Sequence, residues 1–200
     1  MDFYDHLKKE NKERKKKILE VECSKFFNQI KKKSYIFRGI ENLRSDFKKV
    51  KSRKNRQPRD TPQYVHEKLD EMFQKNFGWK VRSEGVFTSG DPNLEDYGDI
   101  FLFAPVGNFK YIWSADIKDL YNKLLTIGAV PPNRNIPNDV IMDMFDKKSN
   151  KVEEIVKKYH HNEGLNISIR YKSEIIFKCD YYYLLNTTDE NYEIYNELAK

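Results

Sequence analysis

The chain has little cysteine, few glycines and no long apolar run, and each scarcity excludes something. Two cysteines in 200 residues, Cys23 and Cys179, cannot build a disulfide framework, and both sit among apolar neighbours like small core residues. No apolar stretch approaches the roughly 18 residues that a membrane-spanning helix needs, and the charged N-terminus lacks a signal-peptide core. The expectation is a cytoplasmic protein with no membrane contact. Eight glycines leave no phosphate-cradling loop of the Walker or dinucleotide kind. His6, His66, His160 and His161 do not combine with the cysteines in a zinc spacing. The acidic stretch "GDPNLEDYGD" lacks the spacing and closing glutamate of a calcium loop.

Aromatic residues and charge are abundant. Thirteen Tyr, 13 Phe and 2 Trp argue for a folded core even though 34% of residues are charged. A chain of this length suits one domain, which buries roughly 70% of its unfolded surface. The charge is uneven: residues 1–60 hold 20 Lys and Arg against 9 Asp and Glu, whereas the remainder is net acidic. A basic N-terminal third points to an acidic or nucleic-acid partner, and Arg53, Lys54, Arg56 and Arg59 are the expected phosphate contacts. A solvated, lysine-rich helix face would look the same in sequence.

Hydrophobic spacing predicts a helix over residues 3–33, striped by Leu7, Ile18, Leu19, Phe26, Phe27 and Ile30. "SYIFRG" reads as a strand, 41–60 as a long basic loop, and "DTPQYVHEKLDEMFQKNFG" as a helix with Asp60 or Thr61 at its start. Short strands follow around 79–88, then "DIFLFAP" and "FKYIWS" as a hairpin across "VGN". "DIKDLYNKLLTIG", "PNDVIMDMFDKK" and "NKVEEIVKKYHH" read as helices, with Asp116 capping the first of them and the histidines at the C-terminal end of the last. "LNISIRY" and "SEIIFKCDYYYLL" read as strands before a short C-terminal helix. The expected class is α+β, with a curved, mainly antiparallel split sheet flanked by helices and a basic N-terminal helix. Residues 1–33 would form a helical extension and 34–200 a single domain.

Three short stretches then fall in order: "YIFRG", "VFTSG" and "SEIIFKC". This order resembles the mono-ADP-ribosyltransferases of the arginine–serine–glutamate type, over roughly residues 35 to 185. The "RQPRDTP", "FG", "YG" and "WS" stretches are also similar to those of hypothetical phage proteins. The resemblance implies NAD as cofactor and a macromolecular acceptor, protein or nucleic acid. It implies that Glu174 holds the ribose 2′-OH and stabilises the positive charge of an oxocarbenium-like state. Thr88 and Ser89 would orient Glu174 or touch the ribose. Arg38 would meet the diphosphate or buttress the pocket, Gly39 would let the nicotinamide amide approach the backbone, and Phe87 or Tyr97 would stack on its ring. Two departures from the pattern stand out. Lys172 occupies the position where arginine-modifying members carry Glu or Gln, and "FTSG" replaces Ser-Thr-Ser.

Two further readings stay open. Asp99 with Asp116-Ile-Lys118 is similar to the Asp…Asp-x-Lys pattern of restriction-endonuclease-like nucleases, where carboxylates hold Mg²⁺ and the lysine helps activate water. A non-catalytic nucleic-acid or protein-binding module would need only the basic surface.

Overall fold

The computed structural model describes residues 3–58, 61–94, 97–133 and 136–200, with side chains from Lys9 onward. Runs of aromatic and β-branched residues supply eight strands among them. These are β1 (Phe37–Ile40), β2 (Phe47–Lys51), β3 (Val86–Ser89), β4 (Asp99–Pro105), β5 (Lys110–Trp113), β6 (His160–His161), β7 (Glu174–Lys178) and β8 (Tyr181–Asn186). All pair antiparallel in one open sheet of order β2-β8-β4-β1-β3-β7-β5-β6. The helices are α1 (Phe3–Glu22), α2 (Ser24–Phe27), α3 (Gln63–Phe77), α4 (Val81–Glu84), α5 (Leu120–Thr126), α6 (Asn138–Val156), α7 (Leu165–Arg170) and α8 (Asp189–Leu198). The architecture is α+β, an antiparallel sheet flanked by helices.

Two apolar clusters hold the layers together. One gathers Phe26, Phe103, Phe177, Leu184 and Tyr195, and joins α1, α2, α7 and α8 to the sheet. The other gathers Phe73, Trp79, Ile112, Phe145 and Ile176, and joins α3, α4, α5 and α6 to the strands around β7. α3 follows its local signals closely. Val65, Leu69 and Phe73 make its buried face, and Gly78 ends it in the left-handed conformation, its N–H donating to the Gln74 carbonyl.

Several expectations are corrected by the tertiary structure. The 41–60 segment contains a strand, because Phe47 and Val50 pack against the core while Lys48, Lys49 and Lys51 arm the open edge of the sheet. The helical prediction over 3–33 ends at Phe27, with a break at Cys23. β4 and β5 do not form a hairpin, since β1, β3 and β7 lie between them in the sheet. α6 runs unbroken through residues 147–150, where the sequence holds neither Gly nor Pro. "LNISIR" is helical: Leu165, Ser168 and Ile169 are buried at i, i+3 and i+4. "SEIIFKCDYYYLL" divides into β7 and β8, separated only by Cys179 and Asp180. His160 and His161 pair with β5 as a short strand, not as a helix terminus. Asp119, not Asp116, caps α5 by accepting the Asn122 N–H at 2.7 Å. The proposed cap Asp60 lies outside the described residues.

Much of the basic charge on α1 is answered within the chain. Lys12 meets Glu193 at 2.8 Å, Lys16 meets Glu197 at 2.6 Å, and the buried Lys15 meets both Glu190 and Asp46 at 3.0 Å. Lys15 is held protonated: burial lowers its pKa, but the hydrogen bonds with Glu190 and Asp46 outweigh this and raise it overall.

Candidate functional site

The site begins with the register of three neighbouring strands. β3 and β7 pair so that Ser89 stands opposite Glu174 and Phe87 opposite Ile176. Alternation puts Phe87, Ser89 and Glu174 on one face of this pair, and Thr88 and Ile175 on the other. β1 joins β3 through a single registered pair, Phe37 with Ser89. Just beyond that pair, Arg38 Nη1 donates to the Phe87 carbonyl at 2.6 Å, which bridges the two strands with a side chain.

A cavity of about 410 Å³ opens over this junction. Arg38, Gly39, Phe87, Thr88, Ser89, Tyr97 and Glu174 all line it. The sequence motifs are thus brought together, although each residue's surroundings differ from expectation in places. Thr88 is buried and its hydroxyl donates to the Ile175 carbonyl at 2.7 Å, so it pins β3 to β7 and does not orient Glu174. Ser89 Oγ accepts the Asp91 N–H at 2.9 Å. A Cβ on Gly39 would come within 2.6 Å of Tyr97 Cβ and 3.1 Å of the Tyr97 carbonyl oxygen. The glycine therefore makes room for Tyr97. Phe87 carries guanidinium groups over its ring, Arg56 at 4.4 Å and Arg82 at 4.9 Å from the centroid, where a nicotinamide ring was expected. Tyr97, 55% exposed, remains the aromatic side chain at the cavity mouth.

Glu174 is the chemically distinctive group. Burial pushes its carboxyl up to about 7; Arg82 pulls it down, Asp119 pushes it up, and Arg56 pulls it down. A carboxyl of this kind can change charge near neutrality, and as a carboxylate it can stabilise a cationic centre at close range. Tyr159 lies close enough for the two charges to act on each other, and its buried hydroxyl, pushed far upward by that burial, has no hydrogen-bond partner.

The sequence reading missed Arg82 and misplaced Arg56. Arg56 was expected on an exposed nucleic-acid surface, but it is half-buried in the cavity beside Arg38 and Arg82. Burial lowers its pKa, as do the charges of Arg82 and Arg38. Nothing in the local sequence "KVRSEG" marks Arg82 as a site residue. Of the other expected phosphate contacts, Arg53 and Lys54 are exposed, Lys54 lying 3.5 Å from Asp180, and Arg59 lies outside the described residues.

The set Asp99, Asp116 and Lys118 is not brought together by strand pairing. Asp99 opens β4, opposite Ile40, while Asp116 follows β5 on the far side of three intervening strands. Lys118 lines the cavity and neither aspartate does. Among the described residues no group of three or more His, Cys, Asp or Glu is placed to hold a metal ion.

Searches of protein-family models, curated proteins and solved structures matched nothing. The cavity's described lining carries five cations, Arg38, Arg56, Arg82, Lys118 and Lys172, against the carboxyls of Asp119 and Glu174. Such a lining favours an anionic ligand.

Proposed function

We propose that the protein is an NAD-dependent mono-ADP-ribosyltransferase acting on a macromolecular acceptor. The observation that carries this reading is the convergence of Arg38, Ser89 and Glu174, from three adjacent strands, on one cationic cavity. The cleft has a topological origin. β7 and β8 are four places apart in the sheet, yet three Cα steps join them, a span of at most about 11 Å. A flat sheet would hold them roughly 19 Å apart. The sheet therefore curves, and Phe103 meets Phe177 across the curve at 5.0 Å. The single β1–β3 pair, Phe37 with Ser89, lies beside the cavity, which Ser89 lines.

In this reading the dinucleotide's phosphates lie toward the arginines and the nicotinamide toward Tyr97. Ionised Glu174 would hold the ribose 2′-OH and stabilise the positive charge that develops as the bond from the anomeric carbon to nicotinamide breaks. The departing pair of electrons goes to nicotinamide, and the acceptor nucleophile closes the anomeric carbon. Lys172, at the mouth and 3.6 Å from Asp91, would face that acceptor. A cation in this position favours a nucleic-acid or acidic acceptor over an arginine side chain.

The test is nicotinamide release from NAD by wild type and Glu174→Gln, with and without added DNA, RNA or cell lysate. Release by the wild type should fall by two or more orders of magnitude in the variant. Equal rates in the two proteins would refute the mechanism.

A further inference from the structure

We propose that Arg56 and Arg82 form a clamp for a diphosphate group. This rests on the transferase reading for the identity of the natural ligand but not for the clamp's own chemistry. Both guanidiniums lie over the ring of Phe87, and Arg38 enters the same cavity from β1. Arginines on an aromatic ring can be purely structural, but here the hydrogen-bond inventory argues otherwise. Arg56 Nη1, Arg82 Nε and Arg38 Nε are each buried without an acceptor. Buried guanidinium donors are costly when left unpaired, and a phosphate oxygen is the acceptor their planar forks match.

The two arms are set by a shared buried anchor. Asp70 on α3 accepts the N–H groups of Arg82 at 2.7 Å and Ser83 at 3.3 Å, and the Ser83 hydroxyl also donates to it. His66 Nε2 lies 3.0 Å from that hydroxyl. The Ser83 carbonyl in turn accepts the Arg56 N–H at 2.9 Å, and Arg82 Nη2 donates to Thr61 Oγ1 at 3.3 Å. α4 therefore fixes Arg82 directly and Arg56 through one backbone bond. Both arms hold their places without any bond between the two charged heads.

Arg56, Arg82 and Arg38 line one cavity, and the charges of Arg82 and Arg38 bear unfavourably on the Arg56 guanidinium. A group with one phosphate meets only part of this charge. Two linked phosphates present enough oxygens and charge for all three forks, so the clamp selects diphosphates over monophosphates.

The test is direct binding of inorganic pyrophosphate and orthophosphate at fixed ionic strength to the wild type, Arg56→Gln, Arg82→Gln and Lys147→Gln. Calorimetry gives affinities, and circular dichroism checks each fold. Wild type should bind pyrophosphate at least tenfold more tightly than orthophosphate. Arg56→Gln and Arg82→Gln should each lose tenfold or more, while Lys147→Gln, an exposed change on α6 away from the cavity, keeps wild-type affinity. If Arg82→Gln fails to fold, Arg56→Gln decides alone, since its side chain leaves from a connecting segment. No pyrophosphate binding by the wild type, equal affinity for the two anions, or undiminished binding in Arg56→Gln would overturn the clamp. The transferase reading is separable. Clamp-dependent pyrophosphate binding without nicotinamide release supports the clamp and removes the transferase. Nicotinamide release with unchanged pyrophosphate binding in Arg56→Gln does the reverse.

Discussion

Glu174 and Ser89 stand directly opposite each other on β7 and β3, at the end of the sheet where β3 keeps only one registered pair with β1. That placement puts a carboxyl at a junction where the backbone no longer fills the sheet, and the cavity occupies the space. The same burial that makes the position useful for ligand chemistry makes it costly for the fold.

This cost predicts a pH dependence. Burial raises Glu174 from 4.5 to about 7 in the folded protein. As pH rises through that window the unfolded chain ionises first, so stability falls and the deficit is complete above about 7. Glu174→Gln should therefore be more stable than wild type at pH 8, by up to about 3 kcal/mol, and near parity at pH 4. Urea denaturation at the two pH values measures this, and an identical difference at both would contradict it. Nicotinamide release by wild type should rise with pH to a plateau above about 7, because only the carboxylate stabilises developing positive charge.

Gly39→Ala tests the packing of Tyr97 against β1. The new Cβ would meet Tyr97 Cβ at 2.6 Å and the carbonyl oxygens of Tyr97 and Leu94 at 3.1 and 3.2 Å. Two of these three contacts are backbone, which yields little, so a loss of about 1–3 kcal/mol is expected. Ligand affinity should fall as well, since Tyr97 lines the cavity mouth. A variant with unchanged stability and affinity would mean that this segment shifts freely.

Lys15→Met tests the clasp between α1 and α8. Removing the lysine leaves Asp46 and Glu190 facing each other with no cation between them, and lets the lowered pKa of Asp46 relax upward. A loss of about 1 kcal/mol is expected, because the Asp46 and Glu190 side chains, 55% and 33% exposed, lose their shared cation but remain hydrated. The loss should shrink in 0.5 M salt, which screens exposed charges. A loss of about 3 kcal/mol that salt leaves unchanged would contradict this.

Much of the local structure was legible in the chain, and the reason is short-range physics. The stripe of Val65, Leu69 and Phe73 and the stop at Gly78 specify α3 without help from distant residues. The continuous apolar run in "DIFLFAP" marks β4, and the strand character of "EIIFK" places Glu174 at a strand entrance. The order of "FRG", "FTS" and "SE" was enough to nominate three strands for one site.

What the sequence could not reveal were relationships between distant segments. β2 was hidden because its lysines face water and only its pairing with β8 makes it a strand. α7 was mistaken for a strand because six residues carry too little periodicity to separate the two states without their packing. Neighbours in sequence, β4 and β5, were expected to pair, but loop lengths allow either a hairpin or a crossing and only the whole sheet selects one. Arg56 and Arg82 show the same limit most plainly. Composition marked Arg56 as one basic residue among many and left Arg82 unremarked. Only the folding of α4 onto Asp70 brings both over Phe87, because a charged side chain has no local signature of the partner it will face. The sequence by itself determined which short segments would be helix or strand where their patterns were strong, and which polar residues ended strands. The tertiary structure alone decided that three of those strands lie side by side, and that three guanidiniums share a single cavity with the half-buried Glu174 carboxyl.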